Sequence, residues 1–142
     1  MGNPPDDGFK FPHARVAQVR IARHTAQLES VVAFYRDGLG LPELYRFVDH
    51  DGYDGVMLGL PGKALHLEFT QCAGGAPPSL PSGDDLLVLY IPDPAQLASW
   101  CERLELHGHS PVTPKNPYWL HDAVTFEDPD GWCVVLCNSE GI

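Results

Sequence analysis

The chain has 142 residues, of which 44% are hydrophobic, and a formal net charge of −10 at pH 7. This length suits one domain or two small fused modules, and the apolar fraction is sufficient for a hydrophobic core, which excludes a disordered chain. The acidic balance argues against a nucleic-acid partner and is compatible with a cationic ligand, and no apolar run approaches the roughly 18 residues of a membrane span.

Residues 1–15 precede the first predicted strand and begin with MGNPPDDG. They have neither the basic start nor the apolar stretch of a signal peptide, so they are interpreted as a flexible arm. The four cysteines show no C-x-x-C spacing, and Cys133 and Cys137 would lie about 13 Å apart along one strand, too far for an easy disulfide. Reduced cysteines indicate a cytoplasmic protein.

Residues 16–72 carry the signals of a first module. Residues 16–22 alternate as a strand, and apolar residues at helical spacing predict a helix over residues 27–38 that Gly38 or Gly40 ends. Three strands separated by turns follow near residues 43–49, 55–60 and 64–70.

The strand at residues 64–70 alternates strictly between apolar and polar residues. One face carries Leu65, Leu67 and Phe69, whereas the other carries His66, Glu68 and Thr70. If the polar face lines a cavity, its imidazole and carboxylate are the beginning of a functional site.

A linker over residues 73–83, rich in Gly, Pro and Ser, separates this module from a second one over residues 84–142. The second module repeats the order of signals, with a strand, a helix and three strands at residues 86–91, 94–107, 110–113, 123–127 and 132–137. The internal repeat predicts two tandem βαβββ units.

Two motifs give this repeat a family resemblance. The first helix closes on FYRDGLGL (residues 34–41), and EDPDGW (residues 127–132) precedes the last strand. Together they resemble the vicinal oxygen chelate superfamily of glyoxalases, bleomycin resistance proteins and extradiol dioxygenases, over about residues 16–138. Further segments are similar to a small bacterial branch: RIAR, GYDGVM and NPYW. The resemblance implies an α+β fold whose two βαβββ modules form cupped mixed sheets around a cleft, commonly in a homodimer.

The resemblance also implies where a metal would bind. Metal-binding members place ligands on the first, fourth, fifth and eighth strands, and these positions fall here on Arg20, Glu68, Leu86 and Val135. Only Glu68 is a metal ligand, and the guanidinium of Arg20 would repel a cation. We therefore expect no cofactor.

If the first and fourth strands are antiparallel, as the resemblance implies, Arg20 faces Glu68 and Ala22 faces His66, with His24 diagonal to it. The pair of Arg20 and Glu68 then either grips a ligand or is a structural ion pair left from a lost metal site. A divalent metal held by Glu68, His66 and His24 is the alternative cofactor.

Aromatic side chains are the other candidate ligand-binding residues: Tyr53, Tyr90, Tyr118 and Trp119. Alternation places Tyr90 on the cavity side of its strand, and the loop that carries Tyr118 and Trp119 is where lids often lie. Packing at a dimer interface is the other interpretation of Trp119.

Two functions remain open at this point. The first is metal-independent binding of a small molecule, cationic or aromatic, by a homodimer. The alternative is an enzyme, either a glyoxalase-like lyase, an isomerase or a dioxygenase-like oxidoreductase, with a relocated metal or with acid–base chemistry of Glu68 and His66. The substrate is not encoded in any motif, because one fold hosts many chemistries.

Overall fold

The computed structural model describes residues 16–75, 77 and 80–142 of the chain. The predicted arm over residues 1–15 lies outside the described residues, as do residues 76, 78 and 79 of the predicted linker. The first half forms a four-stranded sheet in the order β1-β4-β3-β2, built from β1 (Val19–His24), β2 (Glu43–His50), β3 (Tyr53–Gly59) and β4 (Leu65–Cys72).

The connection between β1 and β2 sets the strand directions in this sheet. It contains helix α1 (Leu28–Val32), which continues as a π-helical segment over Ala33–Gly38. The helix returns the chain to the end where β1 began, so β2 runs in the direction of β1. After two antiparallel turns β4 runs in that direction again and pairs with β1 in parallel. The expectation of antiparallel β1 and β4 strands is therefore wrong.

The second half forms a three-stranded sheet in the order β5-β7-β6, built from β5 (Leu86–Tyr90), β6 (Ala123–Glu127) and β7 (Cys133–Cys137). Helix α2 (Pro94–Leu106) follows β5, and a short 3-10 helix (Pro117–Leu120) precedes β6. As in the first half, the strand before the helix pairs in parallel with the last strand.

The structure describes residues 110–113, but they do not form the short strand that the sequence predicts. It is reduced to a single antiparallel bridge between Val112 and Thr125. Pro111 and Pro114 flank the pair Val112 and Thr113 and lack backbone N–H groups, so the segment has too few donors for a longer ladder. The α+β class and the two modules, each with a helix and a mixed sheet, are nevertheless confirmed.

One hydrophobic core joins the two halves. It contains the buried face of the first helix (Val31, Phe34 and Tyr35, for example), inner residues of β3 and β4, and Leu104, Phe126 and Val134 from the second half. Because apolar area from both halves is buried in the same cluster, neither sheet has a separate core. Among the helices of the described residues, none combines the length and hydropathy that a membrane crossing requires.

Candidate polar site on the first sheet

Three of the predicted site residues come together on the face of the first sheet that lies opposite its core. Arg20 on β1 is paired in register with His66 on β4, and its Nε donates a hydrogen bond to His66 Nε2 over 2.8 Å. Arg20 Nη1 lies 3.5 Å from Glu68 Oε2. We call these three side chains the polar wall.

The parallel register changes the predicted partners within this wall. Arg20 lies opposite His66, Ala22 lies opposite Glu68, and His24 lies opposite Thr70. Glu68 is therefore diagonal to Arg20, and only the length of the arginine side chain brings the two charges together.

The hydrogen bond from Arg20 determines which nitrogen of His66 carries a proton. The Nε–H of arginine is always a donor, so His66 Nε2 must be the acceptor and the ring is neutral with its proton on Nδ1. His66 is only 5% exposed, and its Nδ1 finds no hydrogen-bond partner among the residues that the structure describes. A buried donor without a partner is costly, by about 1–3 kcal/mol, and such groups are typical of functional sites.

Burial differs sharply between the two charges of the wall. The side chain of Arg20 is 47% exposed, whereas that of Glu68 is 14% exposed. Glu68 thus lies behind the guanidinium, and a molecule approaching this face meets the positive charge first.

The same face continues into an apolar surface. Its side chains come from β2 and β3, namely Leu44, Tyr45, Phe47 and Met57. Met57 is paired with both Tyr45 and Glu68, so the apolar surface begins one strand away from the polar wall. Leu44 and Tyr45 are exposed by 55% and 59%.

Two glycines make room for this apolar surface. A Cβ on Gly55 would lie 2.1 Å from Phe47 Cζ, and one on Gly59 would lie 3.2 Å from Leu44 Cδ1. Sequence analysis missed these side chains. The available signal was Gly at both ends of the segment GVMLG (residues 55–59), since a glycine within a strand often marks a close approach.

His24 and Tyr53 share this face of the first sheet but lie outside the polar wall. His24 Nε2 lies 2.9 Å from the carbonyl oxygen of Pro77, in hydrogen-bonding contact. Tyr53 begins β3 opposite Cys72, four residues along the strand from Met57. Neither residue contributes to the contacts between Arg20, His66 and Glu68.

Tyr90, Tyr118 and Trp119 line one cavity of about 350 Å³ on the second half. The rings of Tyr118 and Trp119 meet edge to face with centroids 4.9 Å apart. The cavity also includes polar and C-terminal residues that sequence analysis missed: His121, Asp122, Asn138, Ser139 and Ile142. We call it the aromatic cavity, and the polar wall contributes no residue to it.

The cysteines of the last strand face a buried environment. Burial raises the pKa of both Cys133 and Cys137, with smaller contributions from nearby carboxylates. A raised pKa keeps a thiol protonated and weakens it as a nucleophile. All four cysteines are free thiols.

The polar wall does not fit a divalent metal. Nε2 of His66 already accepts a hydrogen bond from a permanent cation, and that cation is also next to Glu68. His24 is in contact with Pro77, and among residues 16–75, 77 and 80–142 no group of three His, Cys, Asp or Glu side chains is arranged to hold a metal ion. A metal with useful affinity needs at least three such donors without a competing cation.

Comparison with known proteins identifies relatives along most of the chain. Residues 19–70 match the YycE-like N-terminal domain and residues 84–138 match the YycE-like C-terminal domain. The chain is 47% identical over 135 residues to the uncharacterised protein YycE of Bacillus subtilis (strain 168), which covers 95% of this chain and 97% of the relative.

Solved structures also include a YycE protein and proteins that share its fold. The crystal structure of a B. subtilis YycE protein of unknown function, a candidate glyoxalase/fosfomycin resistance protein, superimposes with a TM-score of 0.87 at 47% identity, covering 94% of this chain and 98% of that one. The trypanothione-dependent glyoxalase I of Leishmania major has a TM-score of 0.65 at 20% identity, with 88% and 87% covered. TnmS3, an antibiotic binding protein from Streptomyces sp. CB03234, has a TM-score of 0.63 at 24% identity, with 88% and 98% covered. The last two share the fold alone.

Proposed function

The chain belongs to the YycE-like family of the vicinal oxygen chelate superfamily, and we propose that it binds a small molecule without a metal, with the polar wall as part of its binding surface. The observation that carries this proposal is the 2.8 Å hydrogen bond from Arg20 Nε to His66 Nε2. The family resemblance implies a first metal ligand at Arg20, and the guanidinium there donates to the lone pair of the neighbouring imidazole.

The same hydrogen bond argues against acid–base catalysis by His66. With Nε2 accepting from Arg20 and the proton on Nδ1, the ring offers no free basic nitrogen to a substrate. Glu68 is shielded by the arginine on its accessible side. A binding role needs neither group to exchange a proton.

Binding is supported by the combination of polar and apolar groups on one sheet face. The exposed guanidinium can orient a polar group, and Tyr45 and Met57 can cover an apolar body. Small-molecule sites commonly combine an apolar lining with a few convergent polar groups. TnmS3, which is an antibiotic binding protein, has the same fold.

We further propose a homodimer in the cytoplasm. The polar wall and the aromatic cavity lie on different sheets, and Tyr118 is 70% exposed, so a second copy could bring Tyr90, Tyr118 and Trp119 toward the first sheet. The free thiols are compatible with a reducing compartment, and the acidic charge does not favour a nucleic-acid partner. Light scattering during size-exclusion chromatography tests the dimer.

The main test combines metal and ligand titrations. Isothermal titration with Zn²⁺, Ni²⁺ and Mn²⁺ should show no stoichiometric site, whereas ligand-observed NMR with a set of aromatic compounds should identify binders that Arg20→Gln and Glu68→Gln weaken. Arg46→Gln is the matched control, because Arg46 is paired with Val56 and therefore lies on the opposite face of the same sheet. One tightly held metal per chain would refute the proposal.

A further inference from the structure

We infer that the group which the polar wall recognises is an oxyanion, such as a carboxylate, attached to a flat apolar body. This inference rests on the proposed binding function and narrows its ligand class. It differs from the cationic ligand that the net charge of the whole chain allows.

The first argument is the local charge of the wall. Arg20 is positive, Glu68 is negative, and His66 is neutral because its Nε2 accepts from Arg20. The three side chains therefore sum to no net charge, but the positive member is 47% exposed and the negative one only 14%. An incoming cation would be repelled at close range by the more accessible charge.

The second argument is the set of donors that Arg20 has left. Nε is used by His66, and Nη1 lies 3.5 Å from Glu68, a distance that is long for a hydrogen bond. Within the described part of the chain, Nη2 makes neither a hydrogen bond nor an ion pair. The outer edge of the guanidinium can therefore donate two parallel N–H groups, and this fork matches the two oxygens of a carboxylate.

The guanidinium of Arg20 differs from a freely solvated surface charge because it is bound to a neighbouring side chain. The hydrogen bond to His66 restricts the guanidinium on the sheet, so less side-chain freedom is lost when a ligand binds. The buried His66 is itself fixed between neighbouring strands, opposite Gly59 on β3 and Arg20 on β1.

The third argument is the apolar surface beside the wall. Met57 is paired with Glu68 and Tyr45 with Met57, so apolar groups begin about 5 Å from the wall and continue across the sheet. An anionic group at Arg20 would place its attached ring system over these side chains. A small free anion would leave them exposed.

The acidic net charge does not contradict an anionic ligand. Charges farther than about 8 Å are largely screened at physiological ionic strength, so the −10 of the whole chain acts weakly at the wall. It slows the encounter with an anion more than it weakens the bound state.

A matched set of three probes tests the ligand class: indole-3-acetate, indole-3-acetamide and tryptamine, which share one ring system and differ in charge. Titrations followed by protein-observed NMR should show that indole-3-acetate binds at least about tenfold more tightly than the other two, with shifts at Arg20, His66 and Glu68. Arg20→Gln should abolish this preference, Arg20→Lys should restore part of it, and Arg46→Gln should leave it intact.

Three outcomes would overturn the inference. They are equal or tighter binding of tryptamine, a preference for the acetate that survives Arg20→Gln, and the absence of shifts at the polar wall with all three probes. Tryptamine binding at the wall would leave the proposed binding function standing, because only the charge of the ligand would then be wrong. The failure of that function is detected separately, by a stoichiometric metal.

Discussion

The hydroxyl of Tyr35 donates a hydrogen bond to Asp128 Oδ2 over 2.7 Å, and this buried contact joins the two halves of the chain across 93 residues of sequence. The other oxygen, Oδ1, accepts from the backbone N–H groups of Asp130 and Trp132. The side chain of Asp128 therefore fixes both the tight turn before β7 and the position of the first helix. Burial raises the pKa of Asp128, and these hydrogen bonds oppose that rise.

Replacement of Asp128 should separate the role of its shape from that of its charge. Asp128→Ala leaves two N–H groups and one hydroxyl without acceptors, so we expect a loss of about 2–4 kcal/mol in the free energy of unfolding. Asp128→Asn keeps an acceptor at Oδ1 and can donate to the Tyr35 oxygen, so it should lose less than half as much. Urea unfolding followed by circular dichroism measures both, and equal losses would show that the negative charge itself is required.

The stability difference between the wild type and Asp128→Asn should also depend on pH. The folded pKa of Asp128 lies above the ordinary value of 3.8, so the folded state takes up a proton more readily than the unfolded chain. The contribution of Asp128 to stability should therefore rise as the pH falls from neutral toward 3.8. The stability of the wild type relative to Asp128→Asn should increase in that window, and a difference that stays constant with pH would contradict this.

His109, which lies at the contact between the two halves, should change the stability with pH in the opposite direction to Asp128. Its ring meets that of Phe34 edge to face at 4.7 Å, and burial, with a smaller effect of His107, lowers its pKa below 6.5. The neutral ring stabilises the fold above pH 6.5, and this contribution is lost as the pH falls through the lowered folded pKa. Thermal melts of the wild type and His109→Gln should therefore converge on acidification. A melting difference between the two proteins that stays constant with pH would contradict this.

The tautomer of His66 is a direct test of the polar wall. At neutral pH the long-range ¹H–¹⁵N spectrum should show Nδ1 protonated and Nε2 unprotonated, because Arg20 donates to Nε2. Arg20→Gln places an amide there and should change the tautomer populations, whereas Arg46→Gln should not. A wild-type ring protonated at Nε2 would show that Arg20 and His66 are not hydrogen-bonded in solution.

The wall also shows how far sequence reasoning extends. Alternation in β4 placed His66 and Glu68 on one face, and that needs only the two-residue period of a strand. The parallel direction of β1 and β4 was equally accessible, since one helix and two turns fix it. What could not be predicted is the 2.8 Å contact itself, because it depends on side-chain rotamers across a ladder.

Contacts between residues that are far apart in the sequence could not be predicted from local patterns. Nothing in residues near Tyr35 indicates Asp128 as its partner, since the pairing depends on how the two halves pack. The separation of the polar wall from the aromatic cavity has the same origin. Local pattern predicts which residues share a strand face, but the relative placement of two sheets depends on the core between them.

The glycines below the apolar surface give a final prediction. Gly55→Ala would place a methyl group 2.1 Å from Phe47 Cζ, so the ring must move, and we expect a loss of about 1–3 kcal/mol in unfolding free energy. Gly59→Ala is the matched control, because its methyl group would lie 3.2 Å from a flexible leucine and should cost less. If the clash with Phe47 is the cause, Phe47→Ala should cost less in the Gly55→Ala background than alone. Additive losses in this double-mutant cycle would show that Gly55 is needed for its backbone and not for the room that it gives Phe47.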